Sequence, residues 1–244
     1  MHSMPSRPLL VTMGDPAGIG PEIIALALRE RPEWLSRVVV AGDVPTIHRA
    51  LRLVMACQPS PLPMPLTELA ALTDWPQVPP GSLAVIQACE MGQPVAWGQV
   101  RSEAGRAAAA CIRFGAEAAL RREVRALVTA PVHKEALAAA GVGFPGHTEM
   151  LQSLAATHQG VALADLPVRM MLSCPGLRTV LVSIHVSLRQ ALEGVNPDQL
   201  SQTIQLTHAH FRMAGWESPR IAVAGLNPHA GEGGAGCANR GARL

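Results

Sequence analysis

The sequence predicts an α/β protein in which helices flank a mixed, mostly parallel sheet. Short apolar runs of strand length alternate with helical patterns along the 244 residues, which is the rhythm of βαβ units. Pro175-Gly176 separates two such runs and favours one antiparallel hairpin. Hydrophobic residues make up 48% and charged residues 16% of the chain, which is typical of a packed globular protein and argues against disorder.

The amino-terminal part predicts two consecutive strand–helix pairs. Pro8–Met13 is a buried strand, and a helical pattern follows through Arg29. Arg37–Ala41 is a second strand, and Asp43–Met55 is a second helix. Two such pairs in succession predict neighbouring parallel strands.

The middle of the chain begins with a proline-rich stretch. Gln58 to Pro80 carries seven prolines and predicts a surface excursion with at most a short helix around Leu66–Leu72. Ser82–Gln87 is then a strand, and Val100–Arg122 is an Ala-rich helix whose small residues indicate close packing. Val124–Thr129 reads as a buried strand.

The remaining elements are shorter. A short Ala-rich helical piece follows Thr129, and His147–Thr157 is helical. The predicted hairpin consists of Val168–Leu172 and Leu177–Ile184. The last elements are a short helix over Ser187–Glu193, a longer helix from Asn196 to Ala214, and a strand over Arg220–Ala224.

Composition argues against several classes of function. Aromatic residues make up 3%, Tyr is absent, and the net charge is +2 without a Lys/Arg run, so we expect no nucleic-acid partner. No run of 18 apolar residues exists, and Leu9-Leu10-Val11 is too short for a signal peptide, so we expect a cytoplasmic protein without a membrane partner. The five scattered cysteines, without CxxC, indicate reduced thiols, most of them in the core.

The stretch Gly14–Glu22, GDPAGIGPE, joins the first strand to the first helix. Pro21 suits a helix start, and Glu22 falls in the first turn, where the helix dipole favours an anion. The glycines permit a tight turn with exposed N–H groups, which is a possible anion cradle. The spacing matches neither GxGxxG nor GxxxxGK[ST], so a compact strand-to-helix turn is an equal alternative.

Titratable groups are dense between Thr129 and Leu151. His133, Lys134, His147, Thr148 and Glu149 fall within 17 positions after an apolar strand, where α/β proteins usually place their chemistry. Lys134 suits a phosphate or carboxylate, or it is a solvated lysine. Thr148 offers a hydroxyl and a helix N-terminal N–H to an anion, whereas Glu149 equally suits a helix start without a catalytic part.

Three histidines each follow a predicted strand or its turn. They are His147, His185 and His229. Strand ends of one sheet open onto the same crevice, and imidazole is the commonest ligand of divalent transition metals. A long-range triplet also arises by chance, so the pattern leaves a metal site and unrelated histidines both open. Asn227 stands beside His229 in a Gly-rich loop that lets backbone approach a ligand closely.

Five motifs in order carry a resemblance to a known family. They are GDPAGIGPE (Gly14–Glu22), TAPVHKEAL (Thr129–Leu137), FPGHTEML (Phe144–Leu151), the His of SIHVSLR (Ser183–Arg189) and GLNPHAGEGG (Gly225–Gly234). The sequence resembles the 4-hydroxythreonine-4-phosphate dehydrogenase (PdxA) family of pyridoxal phosphate (vitamin B6) biosynthesis. The resemblance runs collinearly from about Pro8 to Gly234.

The resemblance implies a two-lobed α/β/α fold like that of isopropylmalate dehydrogenases. The first lobe would take residues 1–125, the second lobe residues 126–234 with the metal and substrate motifs, and residues 235–244 would be an aberrant tail. It also implies a homodimer, NAD and a divalent metal, which is zinc, magnesium or cobalt. The family's reaction is oxidation of 4-phosphooxy-L-threonine by NAD, followed by decarboxylation to 3-amino-2-oxopropyl phosphate. A divalent ion would lower the pKa of the alcohol and stabilise charge as carbon dioxide leaves.

The resemblance also assigns roles to residues. His147 and Thr148 match the pair that binds the substrate phosphate, and His185 and His229 match two of three metal ligands. Supporting positions are His133, Lys134, Asp15 and Asn227.

The tail departs from the family pattern. After Gly234 the chain reads AGCANRGARL, where the family continues with a third metal histidine and an NAD-binding loop. We therefore expect a truncated product with an incomplete first lobe and impaired dehydrogenase activity. Two alternatives stay open: a PdxA-like dehydrogenase of another substrate (4-phospho-threonate, 4-phospho-erythronate or an aromatic dihydrodiol), and a non-catalytic remnant that binds a ligand or metal.

Overall fold

The chain divides into two compact units, with the boundary between Leu166 and Pro167. The structure, a computed structural model, describes residues 7–57, 64–144 and 146–226. The predicted lobe boundary after residue 125 stays a prediction. No helix in the described part of the chain is long and apolar enough to span a bilayer.

The first unit is built on a five-stranded sheet in which every strand is parallel to its neighbours. The strands lie in the order β3-β4-β2-β1-β5. They are β1 (Leu9–Thr12), β2 (Val38–Gly42), β3 (Leu66–Leu69), β4 (Leu83–Gln87) and β5 (Ala126–Thr129). The last residue of β1, Thr12, is opposite Ala41 of β2 and Thr129 of β5, so the carboxyl ends of the three strands reach one edge of the sheet.

Five helices accompany this sheet. They are α1 (Gly20–Glu30), α2 (Val44–Ala56), α3 (Ser102–Leu120), α4 (Lys134–Ala139) and α5 (His147–Gln159). Short 3₁₀ segments cover Pro32–Trp34, Leu72–Gln77 and Leu163–Asp165. Local signals explain where the helices begin: the Asp43 carboxylate caps α2 by accepting from the Thr46 N–H at 3.0 Å, and proline stands in the first turn of α1.

The core lies on both faces of the sheet. Ile24 and Leu28 of α1 belong to the same buried cluster as Val40, whereas Leu10 and Val39 belong to a second cluster. Helix α3 packs closely through small residues, as the sequence predicted. A Cβ on its Gly115 would lie 2.6 Å from the end of the Leu127 side chain, so a larger residue there would require Leu127 to shift.

Two expectations about the strands were wrong. Leu66–Leu69, where at most a short helix was expected, is the edge strand β3 because it pairs in register with β4. The strand within Val124–Thr129 is not buried: β5 is the other edge strand, and Val128 is 45% exposed. The prolines around residues 59–65 masked a four-residue strand whose formation depends on its partner.

The second unit contains the predicted hairpin and two helices. Strands β6 (Met171–Cys174) and β7 (Leu177–Val180) are antiparallel, with Cys174 opposite Leu177 across the Pro-Gly turn. The helices are α6 (Leu188–Gly194) and α7 (Pro197–Met213). The α/β class with a mostly parallel sheet is thus confirmed, with the antiparallel pair in a sheet of its own.

Two strand limits in this unit also differ from expectation. Strand β7 ends at Val180 and does not continue to Ile184. Arg220–Ala224 is irregular, because no described strand pairs with it. An apolar run becomes a strand only when a neighbour takes its backbone hydrogen bonds.

Candidate functional site

The loops that leave β1 and β5 lie side by side at the carboxyl edge of the sheet. The Asp15 N–H donates to the Pro131 carbonyl at 2.9 Å, and the Ala130 N–H donates to the Thr12 carbonyl at 3.2 Å. The two sequence motifs that begin at Gly14 and Thr129 therefore form one continuous backbone surface. Carboxyl ends of parallel strands are where α/β sheets bind ligands.

Two glycines make this contact possible. Gly14 has φ +75°, and a Cβ there would lie 2.4 Å from the Pro131 carbonyl oxygen. A Cβ on Gly20 would lie 2.3 Å from the Met13 carbonyl oxygen. Both positions demand the absence of a side chain, so the glycines of GDPAGIGPE serve a close approach of backbone to backbone.

Asp15 is used inside its own turn. Its buried carboxylate accepts the Ala17 N–H at 2.8 Å, and its carbonyl accepts the Gly18 N–H at 3.0 Å. These N–H groups therefore already have partners. Of the two interpretations of the sequence, the geometry favours the compact strand-to-helix turn over an anion cradle at Ala17 and Gly18.

An arginine and a tryptophan far away in sequence hold this turn from outside. Arg49 of α2 donates from Nη2 to the Pro16 carbonyl at 2.8 Å, and its guanidinium lies 4.6 Å from the Trp97 ring centroid. Trp97 donates from Nε1 to Glu22 Oε1 at 3.0 Å. Sequence reasoning did not find Arg49 or Trp97, because the contacts join segments 33 and 75 residues apart.

His147 is the first residue of α5 and is partly buried. Helix α5 is anchored by Met150, which is buried with Ile112 of α3 and Leu137 of α4. This anchor fixes the start of α5 against the rest of the unit. The Nε2 atom of His147 is buried and has no hydrogen-bond partner among the described residues. A buried polar atom without a partner is costly, which is a common mark of a site that receives a ligand.

Burial sets the charge of this imidazole. It lowers the pKa of His147 below its ordinary value, and hydrogen bonding with the Ala130 backbone opposes the effect without reversing it. His147 is therefore neutral at pH 7. The interaction with Ala130 also places the imidazole beside the loop that follows β5.

The start of α5 offers backbone donors beside the imidazole. Its N-cap residue, Gly146, has no side chain with which to cap the helix. The first N–H groups of a helix have no partner within it, and the helix dipole favours an anion there. Thr148, the second residue of α5, is half-buried and adds a hydroxyl. An imidazole, a hydroxyl and free N–H groups together suit a phosphate.

His133 and Lys134 are exposed at the start of α4. His133 is its N-cap residue, without a side-chain hydrogen bond to the helix. Both side chains belong to the loop that follows β5, so they share its edge of the sheet. Their supporting role stays a prediction.

The predicted metal ligands are described only in part. His185 is exposed in the segment between β7 and α6 and has the unusual φ of +57°. His229 and Asn227 lie outside the described residues. Within residues 7–57, 64–144 and 146–226, no three His, Cys, Asp or Glu side chains come together as a metal site would require.

Fold and site together define a parallel α/β protein with an anion-binding candidate site at the carboxyl edge of its sheet. A profile of the family described as "Pyridoxal phosphate biosynthetic protein PdxA" matches residues 33–238. The chain belongs to this family, and the resemblance seen in the motifs is confirmed.

Named relatives agree with this membership. The chain is 42% identical over 231 residues to the 4-hydroxythreonine-4-phosphate dehydrogenase of Beijerinckia indica, covering 95% of this chain and 64% of the relative. It is 38% identical to the D-threonate 4-phosphate dehydrogenase of Pectobacterium atrosepticum, covering 94% and 66%. A crystal structure of 4-hydroxythreonine-4-phosphate dehydrogenase from Klebsiella pneumoniae superimposes with a TM-score of 0.79 at 36% identity, covering 96% and 66%.

These coverages also set a limit. The chain spans about two thirds of the length of the curated relatives that it matches, 64% for the Beijerinckia protein. The first of these relatives is named a 4-hydroxythreonine-4-phosphate dehydrogenase and the second a D-threonate 4-phosphate dehydrogenase. The activity of a whole relative is not thereby an activity of these 244 residues.

Proposed function

We propose that this chain provides the phosphate-binding part of a dehydrogenase site for a small phosphorylated hydroxy acid. The reaction is the NAD- and metal-dependent oxidation of 4-phosphooxy-L-threonine, with decarboxylation to 3-amino-2-oxopropyl phosphate, in pyridoxal phosphate biosynthesis. Family membership supports the reaction class. The observation that carries the placement is the buried, unpartnered Nε2 of His147 at the uncapped start of α5.

The geometry gives each residue a task. A phosphate oxygen at the start of α5 takes hydrogen bonds from the free N–H groups and from the Thr148 hydroxyl. His147 is neutral before binding, so the dianion draws a proton onto its imidazole and pairs with it. The Arg49–Trp97–Glu22 contacts keep the neighbouring turn rigid, which positions the floor of the site without touching substrate.

The cofactors belong to the proposal and not to the described geometry. NAD, and not a protein side chain, would accept the hydride. For a divalent metal, His185 and His229 are the proposed ligands. The described residues alone do not assemble three donors, so no step of the mechanism is assigned to a metal.

Titration calorimetry tests the phosphate site directly. We expect 4-phosphooxy-L-threonine to bind the 244-residue chain and its unphosphorylated analogue to bind at least tenfold more weakly. His147→Gln should weaken binding by about 10- to 100-fold, since a charge-assisted hydrogen bond contributes about 1.5–3 kcal/mol. Proton uptake should appear as a binding enthalpy that depends on the buffer and disappears in His147→Gln.

The matched control is His158→Gln, at the exposed last turn of the same helix. It should bind like the unmodified chain. Equal affinity for phosphorylated and unphosphorylated ligands would contradict the phosphate site. Phosphate-dependent binding without any NADH formation would support the phosphate site. It would also identify the chain as a non-catalytic remnant that binds a ligand.

A second candidate substrate is D-threonate 4-phosphate, because a relative 38% identical is named for it. It carries a hydroxyl where the amino acid carries an amine. Parallel titrations with the two compounds, each with NAD and with NADH absorbance as the readout, separate these candidates. A related 4-phospho-erythronate and an aromatic dihydrodiol complete the panel.

We also propose a homodimer in the cytoplasm. Large apolar side chains of the second unit are exposed in the single chain, among them Leu188 at 86% and Met213 at 89%. Exposed apolar surface of this kind marks interaction sites. Sedimentation equilibrium should give twice the 25.7 kDa chain mass, and a monomer at micromolar concentration would contradict the dimer.

A further inference from the structure

Two cysteines of the first unit are in direct contact. The Cys111 thiol donates to the Cys89 sulfur at 3.6 Å, although the residues are 22 positions apart. Cys89 lies just after β4, at the carboxyl edge of the sheet, and Cys111 lies in the middle of α3. The pair was not predicted from the sequence, because the cysteines have no short spacing.

The two thiols differ in access. Cys111 is fully buried, whereas Cys89 is partly exposed. The pKa of Cys111 is raised well above its ordinary value, first by the hydrogen bond with Cys89 and then by burial. Cys111 therefore stays protonated, and Cys89 is the sulfur that a small oxidant in solution can reach.

The backbone at Cys89 is held in place. The Gln87 side chain donates from Nε2 to the Cys89 carbonyl at 2.6 Å, and its Oε1 accepts the Val44 N–H at 2.7 Å. Cys111 is fixed by the helix around it. The two sulfurs need to approach by only about 1.5 Å to reach the bond length of a disulfide.

We propose that Cys89 and Cys111 are a dithiol pair that hydrogen peroxide oxidises to a disulfide. The Cys89 sulfur attacks one peroxide oxygen, the O–O bond breaks, and water leaves with Cys89 as a sulfenic acid. The Cys111 sulfur then attacks the Cys89 sulfur, the S–O bond breaks, and the Cys111 proton leaves with the second water. Each sulfur is thereby oxidised by one electron, and the peroxide that accepts these two electrons is reduced to two waters.

The disulfide would act on a loop that contacts the turn beside the candidate site. Residues 88–101 connect β4 to α3, and Trp97 in this loop contacts Arg49 and Glu22. A bond from Cys89 to α3 ties the beginning of this loop to the helix at which it ends. The pair goes beyond the proposed dehydrogenase function and does not depend on it.

Peptide mapping tests the pair on the full chain. Cleavage after glutamate separates all five cysteines, because Cys89 falls in peptide 69–90 and Cys111 in peptide 104–117. After reduction, removal of reductant and treatment with peroxide, we expect a linked mass of these two peptides, two hydrogens below their sum. The thiol titre of the denatured chain should fall by two, and dithiothreitol should restore it.

Variants distinguish this pair from general oxidation. Cys57→Ser, at an exposed cysteine, should leave the linked peptide unchanged. Cys89→Ser should abolish it and should keep the fold, because the side chain is only partly buried, with circular dichroism as the check. Oxidation of Cys89 to a sulfinic acid without a link, or linkage of Cys57 or Cys174 in its place, would overturn the proposal.

Discussion

The two units of the chain are stabilised in different ways. In the first unit every residue of β2 is buried, and apolar side chains cover both faces of the sheet. Among the described residues of the second unit, Thr203 alone is buried. The first unit therefore has a core that excludes water, whereas residues 167–226 of the second unit form none among themselves.

Polar and aromatic contacts take the place of a core in the second unit. Arg169 donates from Nε to the Thr203 hydroxyl at 2.8 Å and from Nη2 to the Gln202 side chain at 2.7 Å. The Arg178 guanidinium lies 5.5 Å from the Trp216 ring centroid. Such contacts near solvent contribute little each, so we expect the second unit to open locally while the first unit stays folded.

The largest difference should come from two matched leucine truncations. Leu83→Ala, at a fully buried position of β4, should lower the free energy of unfolding of the first unit by about 2–5 kcal/mol because it leaves a cavity. Leu177→Ala, at a position 63% exposed in β7 of the second unit, should change the free energy of unfolding of that unit by less than about 0.5 kcal/mol. Urea denaturation followed by circular dichroism measures both, and equal effects would contradict the contrast between the units.

A second pair of variants tests the close backbone approach in the first unit. Gly20→Ala puts a Cβ 2.3 Å from the Met13 carbonyl oxygen, so the turn must shift, at a cost of about 1–3 kcal/mol. Gly143→Ala faces open space and should be neutral or stabilising by about 0.4–1 kcal/mol. The midpoint temperature of thermal unfolding should therefore fall in Gly20→Ala and stay unchanged or rise in Gly143→Ala.

The elements that the sequence predicted correctly are those with local signals. The strand-to-helix turn at Gly14–Glu22 and the Pro175-Gly176 hairpin each rest on residue types that dictate their own backbone. Strand β3 and the segment Arg220–Ala224 failed in opposite directions. Strand β3 forms because it pairs with β4, whereas Arg220–Ala224 has no described strand beside it. Neither outcome depends on the residues of the segment alone.

The site divides in the same way. His147 and Thr148 were predicted from a motif that stays together in the chain, and they are the first two residues of one helix, while their binding role stays a prediction. The contacts of Arg49 with Trp97 and of Cys89 with Cys111 join segments that only the fold brings together. A single sequence carries no signal for such pairs.

An arginine variant tests the polar contacts of the second unit. Arg169→Ala removes the bonds to Thr203 and Gln202 and should destabilise α7 locally by about 1 kcal/mol. Amide hydrogen exchange should become faster over Pro197–Met213 and stay unchanged in β2 of the first unit. Arg189→Ala, at an exposed position of α6, is the control and should leave exchange in α7 as it was. Faster exchange in β2 as well as in α7 would contradict independent opening of the second unit.

The smallest effect concerns the pH dependence of the first unit. Burial lowers the pKa of His147 in the folded chain below the unfolded value of about 6.5, so the unfolded chain binds more protons in that range. The stability that depends on a neutral His147 is complete above pH 6.5 and is lost as the pH falls through the folded pKa. His147→Gln should flatten this slope of unfolding free energy between pH 5 and 7, whereas His158→Gln should keep it. An unchanged slope in His147→Gln would show that the imidazole is not desolvated at the start of α5, and the phosphate site would lose its main support.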